Sequence, residues 1–292
     1  MEGGIREWRT ARGGVLLDRP RIAGIVNVTP DSFWDGGRHG TVERAVALAG
    51  RLIEEGADLL DVGGESTRPG ANGVPVAEEL ARTVPVIEAI ARRWPEVPLS
   101  IDTVKTAVAR AALDAGAWAV NDVSATRIDP PMAVLVAQTG AGLILMHSRG
   151  GVSEMAGYEQ AAYGADPTGE MVAELGEAAV RAVEAGVGPA SIVIDPGLGF
   201  SKRTAHSIGA LGALDRFLVL GYPVMVGPSR KRFIGDIGAN GGGPLPPEAR
   251  LEGTVGACVA ALFGGATLFR VHDVQAVRRA LDVAHAVRKV AT

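Results

Sequence analysis

The chain has 292 residues, 47% of them apolar and 21% charged, a balance that supports a large core and excludes a disordered or collagen-like chain. Its formal net charge of −4 gives no bulk attraction to nucleic acid or to an anionic membrane, so any anion site has to be a local cluster. The one cysteine, Cys258, lies in an apolar run; an intrachain disulfide is excluded and a buried structural thiol is expected. No stretch approaches the ~18 apolar residues of a membrane span. The first residues, MEGGIREWRTARGG, are charged and carry no apolar segment of signal-peptide length. A cytoplasmic protein with no membrane or nucleic-acid partner is the expectation.

Residues 5–18, IREWRTARGGVLLD, predict a small hairpin around Gly13-Gly14. Short strand-like runs then alternate with helical ones. The strands are predicted at 21–28, 57–64, 98–103, 118–124, 142–148, 191–197, 223–229 and 268–274. They are nearly continuous apolar runs, as expected of parallel strands buried on both faces. Between them lie amphipathic segments such as VERAVALAGRLIEEG and VKTAVARAALDAG, the second with Gly116 at the expected stop. ANGGGPLPPEA (239–249) reads as a loop. Eight βα units in this length predict an α/β fold, a single (β/α)8 TIM barrel over residues 1–292, with 1–20 as a short N-terminal hairpin extension. The alternative, a doubly wound sheet, would more often carry a glycine fingerprint after its first strand, and none is present.

The strand ends carry the chemistry. They finish in Asn27; Asp61 with Gly63-Gly64; Asp102; Asn121-Asp122; His147; Asp195; Ser229-Arg230-Lys231; and Arg270-His272-Asp273. Singly, each has a plainer reading. Asp102 fits a helix cap, Asp195 before Pro196-Gly197 fits a turn, His272 a core histidine, and Lys231 a solvated first-turn residue. Eight such endings in register converge on one barrel mouth, where such enzymes build their sites. Asp102, Asn121 and Asp195 supply carboxylate and amide groups suited to a ring rich in N–H donors, such as an aminopyrimidine. Lys231 is placed to donate to that ring's carbonyl or imine nitrogen. Arg68, Arg270 and His272, with Ser66 and Thr67 nearby, are anion binders suited to phosphate oxygens. Asn27 offers a neutral oxygen to a hard cation, and Mg²⁺ takes few protein ligands beside water and phosphate. The residues suggest a heterocycle attached to a polyphosphate.

The motifs GIVNVTPDSFWDGG, DVGGESTRPGA, SIDT, NDVSA, MHSRG, DPGLGF, SRKRF and RVHDV follow in order over about residues 20–290. Together they resemble the dihydropteroate synthase family, the pterin-binding barrels of folate biosynthesis that sulfonamides target. The resemblance implies condensation of 6-hydroxymethyl-7,8-dihydropterin pyrophosphate with 4-aminobenzoate, giving 7,8-dihydropteroate and pyrophosphate by an SN1-like route. It implies Asp102, Asn121, Asp195 and Lys231 as the pterin set. Asn27, Thr67, Arg68, Arg270 and His272 become the pyrophosphate set, with Asn27 on Mg²⁺. It implies Phe33, Pro69, Ser229 and Arg232 near the 4-aminobenzoate, and Asp35, Arg68 and Lys231 as the catalytic groups. Loops 28–40 and 64–75 are implied as a mobile pair closing over the second substrate, with Gly36, Gly37 and Gly40 as hinges. A homodimer is also implied, and the small-residue run TVGACVAALFGG (254–265) suits either helix packing between copies or burial on its own barrel.

Three positions depart from the family pattern. Ser148 stands where a larger residue is common, Ser201 where glycine is common, and Arg232 where a serine often meets the aminobenzoate carboxylate. Arg232 either pairs with that carboxylate or points outward. Two rivals compete with the reading: a related barrel that uses methyltetrahydrofolate, and a silent pterin-binding paralogue.

Overall fold

The computed structural model describes residues 5–29, 37–66, 73–239 and 242–291. Two short strands, β1 (Glu7–Thr10) and β2 (Gly13–Leu16), pair antiparallel with Thr10 opposite Gly13, which is the hairpin the Gly-Gly pair predicts. Eight parallel strands follow: β3 (Arg21–Asn27), β4 (Leu59–Gly63), β5 (Leu99–Asp102), β6 (Ala119–Asp122), β7 (Gly142–Met146), β8 (Ile192–Asp195), β9 (Met225–Val226) and β10 (Leu268–Val271). Their order is β8-β7-β6-β5-β4-β3-β10-β9, and a parallel bridge between Ile194 and Val224 joins the two ends. The sheet is a nearly closed barrel, as the alternating pattern predicts.

The described helices are α1 (Gly37–Glu54), α2 (Val76–Arg93), α3 (Thr106–Ala115), α4 (Pro131–Thr139), α5 (Pro167–Glu184), α6 (Thr204–Gly212), α7 (Asp215–Leu218), α8 (Arg232–Ile237), α9 (Leu251–Phe263) and α10 (Val274–Ala291). One set of alternate strand residues, including Ile22, Val26, Leu60, Val62, Ile101 and Val120, packs outward with helical residues such as Val86, Ile87 and Val108. Gly116 ends α3 at φ 125°, a conformation an L side chain resists. Cys258 is buried in α9, as expected.

The other alternate set points into the barrel, and its layers place the site. Ala23, Leu59, Ala119, Ile144, Val193, Met225 and Leu268 form one apolar layer, together with Trp8 and Val15 of the hairpin. Trp8 is 1% exposed and donates its indole N–H to the Ser191 carbonyl at 2.8 Å. It lies so close to Gly142 that a β-carbon there would meet its ring at 2.7 Å. The hairpin is therefore a plug in the barrel floor. Because strand side chains alternate, the residues two steps along each strand face the same interior one layer higher. Those residues are Ile25, Asp61, Asn121, Met146, Asp195, Gly227 and Arg270. Polarity thus begins one layer above the plug.

Candidate active site

Strand register brings the upper layers together. Asn27 lies opposite Gly63, Gly63 opposite Asp102, and Asp102 opposite Asn121. Asp102, Asn121, Asp195, Lys231 and Arg270 line one cleft, with Met146, Phe200 and Gly227 among its walls. The four residues expected to hold a ring are all present in it.

Asp195 does two jobs. Its Oδ1 accepts the Gly197 N–H at 2.7 Å, which makes the expected turn, while Oδ2 faces the Gly227 side of the cleft. Gly197 has φ 66°, and a β-carbon there would lie 2.0 Å from the His147 carbonyl oxygen, so only glycine fits. Burial raises Asp195 to about 6, against the pull of the Gly197 N–H and of Lys231. Asn121 donates Nδ2 to Asp61 Oδ2 at 3.1 Å. A carboxylate only accepts there, so the amide orientation is fixed. Asn121 Oδ1 is left buried, with no partner among the described residues. A buried acceptor without a donor is costly, and an N–H of a bound ring would satisfy it. Lys231 sits with Nζ 3.6 Å from the centre of the Phe200 ring. Burial lowers its ammonium to about 7, and Arg270 pushes the same way.

Asp102 is not a helix cap. The Thr106 N–H at the start of α3 is taken by Asp129 at 2.7 Å, and Asp102 Oδ2 instead accepts Arg270 Nη2 at 2.6 Å. Arg270 Nε donates to Asp61 Oδ2 at 2.5 Å. Grouped by sequence with the anion binders, Arg270 thus lies among the ring binders, paired to two carboxylates. Burial raises Asp102 to about 7, with Arg270 opposing. Asp61 is the residue that the strand-end reading names but gives no role. It is 1% exposed and also accepts the Ser100 hydroxyl at 2.5 Å. Its signal was in the sequence: a lone carboxylate inside the strand LLDVG, in phase with the inward set, needs buried partners.

His272, expected to meet phosphate, is paired with Ser229. The Ser229 hydroxyl accepts the His272 backbone N–H at 3.2 Å and lies 3.0 Å from Nδ1. The hydroxyl and Nδ1 are hydrogen-bonded to each other as well. Burial, with Arg270, lowers His272 to about 4, so near neutral pH it is an uncharged N–H donor. Ser229, implied for the aminobenzoate, thus also supports His272. Arg232 points outward: its side chain is 62% exposed and 3.7 Å from Asp236, with the guanidinium 5.0 Å from the Tyr158 ring centre. The outward alternative is the one observed. Phe33, Asp35, Thr67, Arg68 and Pro69 lie outside the described residues. Gly37 and Gly40, read as loop hinges, belong to the first turn of α1.

The Mg²⁺ expectation rests on Asn27. Its Oδ1 lies 3.8 Å from the position of a β-carbon on Gly63, which in turn lies 3.6 Å from Asp102 Oδ2. Among the described residues no group of three His, Cys, Asp or Glu could cage a metal. One neutral oxygen without a cage fits a hard cation held mainly by water and substrate phosphate.

A second network, missed in the sequence, braces the loop after β8. Lys202 is 1% exposed and uses three donors, to His147 Nδ1 at 2.8 Å, the His147 carbonyl at 3.2 Å and the Phe200 carbonyl at 2.9 Å. His147 Nε2 then reaches Glu174 at 3.1 Å, and Glu174 also binds Arg149. Burial, with Lys202, lowers His147 to about 4 and keeps it neutral. The brace fixes Phe200 under Lys231. Ser201 explains one departure from the family pattern. At φ 48° and 0% exposed, its hydroxyl accepts the Arg149 N–H at 3.0 Å and donates to the Arg149 carbonyl at 2.7 Å. Ser148 explains another: its hydroxyl donates to the Val123 carbonyl at 2.6 Å and ties the loops after β6 and β7.

Ser201→Ala keeps the left-handed backbone and loses both hydrogen bonds, for an expected cost of about 1–3 kcal/mol. Ser201→Gly loses the same bonds but relieves about 1 kcal/mol of backbone strain, so it should cost less. Urea denaturation of both variants checks the order, and an alanine variant more stable than the glycine variant contradicts it.

A barrel mouth with three buried acceptors, a lysine and an arginine defines an enzyme site for a small N–H-rich ring carrying an anion. The chain belongs to the pterin binding enzyme family, which matches residues 23–272. The dihydropteroate synthase of Mycobacterium leprae is 45% identical over 264 residues, 90% of this chain and 92% of that protein. The structure of Xanthomonas albilineans dihydropteroate synthase with 4-aminobenzoic acid superposes with a TM-score of 0.87 at 47% identity, covering 97% of this chain and 98% of that one. A structure of the same enzyme in complex with 7,8-dihydropteroate gives 0.83 at 44% identity, covering 96% and 98%. The motifs at the strand ends thus resemble the family to which the chain belongs.

Proposed function

We infer that this chain is a transferase of folate biosynthesis that condenses 6-hydroxymethyl-7,8-dihydropterin pyrophosphate with 4-aminobenzoate. The observation that carries the reading is the cleft's acceptor set. Asp195 Oδ2, Asp102 and the unpartnered Asn121 Oδ1 match the N–H edge of a pterin, and Lys231 matches its carbonyl side. His272 and the Arg270 guanidinium are assigned to the pyrophosphate. Asn27 would hold Mg²⁺, which when bound would supply charge stabilisation to the departing pyrophosphate. The pterin methylene C–O bond breaks and pyrophosphate leaves with the electron pair. The aromatic amine then forms the C–N bond and loses a proton to solvent. Asp102 and Asp195 hold the ring and offset the developing positive charge; no covalent nucleophile is needed. The resemblance assigns Phe33, Pro69, Ser229 and Arg232 to the aminobenzoate side, with Arg232 turned outward here, Thr67 and Arg68 to the pyrophosphate, and Asp35 with Arg68 to closing the site. Incubation with both substrates should yield dihydropteroate, identified by mass; recovery of unreacted substrates contradicts the reading.

The ionisations predict a narrow pH range for pterin binding. Asp195 and Asp102, raised to about 6 and about 7, have to be ionised to accept, so affinity falls as pH drops through those values. Lys231, lowered to about 7, has to be protonated to carry charge, so affinity falls as pH rises above that value. Calorimetry with 6-hydroxymethylpterin should show a maximum near pH 7, and a flat profile from about pH 5 to 9 contradicts the assignment.

A homodimer is part of the same proposal. Val283, Val287 and Val290 are 67%, 55% and 90% exposed along one face of α10, and Phe263 at the end of neighbouring α9 is 53% exposed. That apolar face supports contact between copies, which sedimentation would reveal. A cytoplasmic location belongs to the same proposal; among the described residues no helix is long and apolar enough to cross a membrane.

A further inference from the structure

Arg270 is held at two ends that differ in kind. Its Nε end meets Asp61 at 2.5 Å, which shares the layer of Asn121 and Asp195 but is not part of the cleft wall. Asp61 is 1% exposed, and its oxygens are already engaged by Ser100 and Asn121. A ligand cannot reach that pair. The Nη2 end meets Asp102 at 2.6 Å, and Asp102 lines the cleft with its side chain 12% exposed. A ring that donates an N–H to Asp102 Oδ2 competes with this second bond. One guanidinium therefore serves two carboxylates, one sealed and one open to exchange.

We propose that Asp61 is a positioning residue, a fixed pivot that keeps Arg270 at the cleft when a ring takes Asp102, so that the freed Nη2 turns to the pyrophosphate. This rests on the pterin-pyrophosphate reading above and deepens it. The exchange explains how one arginine belongs both to the ring site and to the anion site. Without the pivot, the guanidinium settles wholly on Asp102, where it blocks the ring and is withdrawn from the anion. With the pivot, filling Asp102 makes the anion site, and an anion on Nη2 empties Asp102 for the ring. The two ligands thus assist each other, and by linkage they do so equally.

The test is calorimetry with 6-hydroxymethylpterin and inorganic pyrophosphate as separate probes. In the parent protein, saturating pyrophosphate should tighten the pterin by about fivefold or more, and the pterin should tighten pyrophosphate by the same factor. In Asp61→Asn, which keeps the shape and removes the charge, the coupling should fall to within about twofold of none. Ser100→Ala removes a neighbour of Asp61 but leaves the Arg270 pair, and should retain the coupling. A purely structural role for Asp61 would weaken both probes and leave their coupling intact. Coupling retained in Asp61→Asn overturns the proposal. If that variant does not fold, the parent decides: two probes that bind without affecting each other overturn it. Failure of the pterin to bind the parent at all strikes instead at the functional reading.

Discussion

Asp195→Asn is expected to lower turnover with pterin pyrophosphate by about 30- to 1,000-fold, or ~2–4 kcal/mol. The geometry makes the loss specific. Oδ1 accepts the Gly197 N–H at 2.7 Å, in a turn where Gly197 has φ 66° and no room for a β-carbon beside the His147 carbonyl. The asparagine has to keep its oxygen on that N–H. Its NH₂ then faces the cleft, donor against the donor of the ring. A site built to accept an N–H discriminates strongly when it can no longer do so. The fold should change little, since the turn is retained. Steady-state kinetics and pterin calorimetry check this, and an unchanged pterin affinity removes Asp195 from the ring site.

Arg270→Ala should be felt in both stability and binding. The substitution leaves Asp61 buried without its cation, and removing one partner of a buried ion pair typically costs about 3–5 kcal/mol. The Ser100 and Asn121 bonds remain, which favours the lower end. Urea denaturation should show the loss, and a change below about 1 kcal/mol would mean that the pair is not a buried one. In binding, the pyrophosphate-bearing substrate should weaken far more than 6-hydroxymethylpterin, because the bare ring gains the Asp102 oxygen that Arg270 vacates. Equal weakening of the two contradicts a role at the anion.

The eight strands were legible in the sequence because each is an apolar run with a polar end, and the barrel brings those ends to one mouth. Asp102, Asn121, Asp195 and Lys231 could be grouped for that reason. The pairings among them were not legible. Arg270 meets Asp61 and Asp102 across 209 and 168 residues of chain, and local pattern carries no information about contacts across the barrel axis. Asp61 was masked by the glycines after it, which drew attention to the loop and away from the inward phase of the strand. Ser229 reads as a free hydroxyl until His272, 43 residues on, closes over it. Lys202 looks like a surface residue in SKRT, and only the fold shows that three acceptors enclose it. Gly37 and Gly40 suggested a loop on local propensity. Tertiary context overrides propensity there, and the helix begins at Gly37.

The central claim is that this cleft drives a substitution at the pterin methylene in which pyrophosphate departs. Release of pyrophosphate, followed in real time with 6-hydroxymethyl-7,8-dihydropterin pyrophosphate and 4-aminobenzoate, tests it most directly. The account predicts one pyrophosphate for each dihydropteroate formed, in a reaction that requires both substrates and is strongly reduced in Asp195→Asn. Absence of release with both substrates present, or release at the same rate in Asp195→Asn, would contradict it.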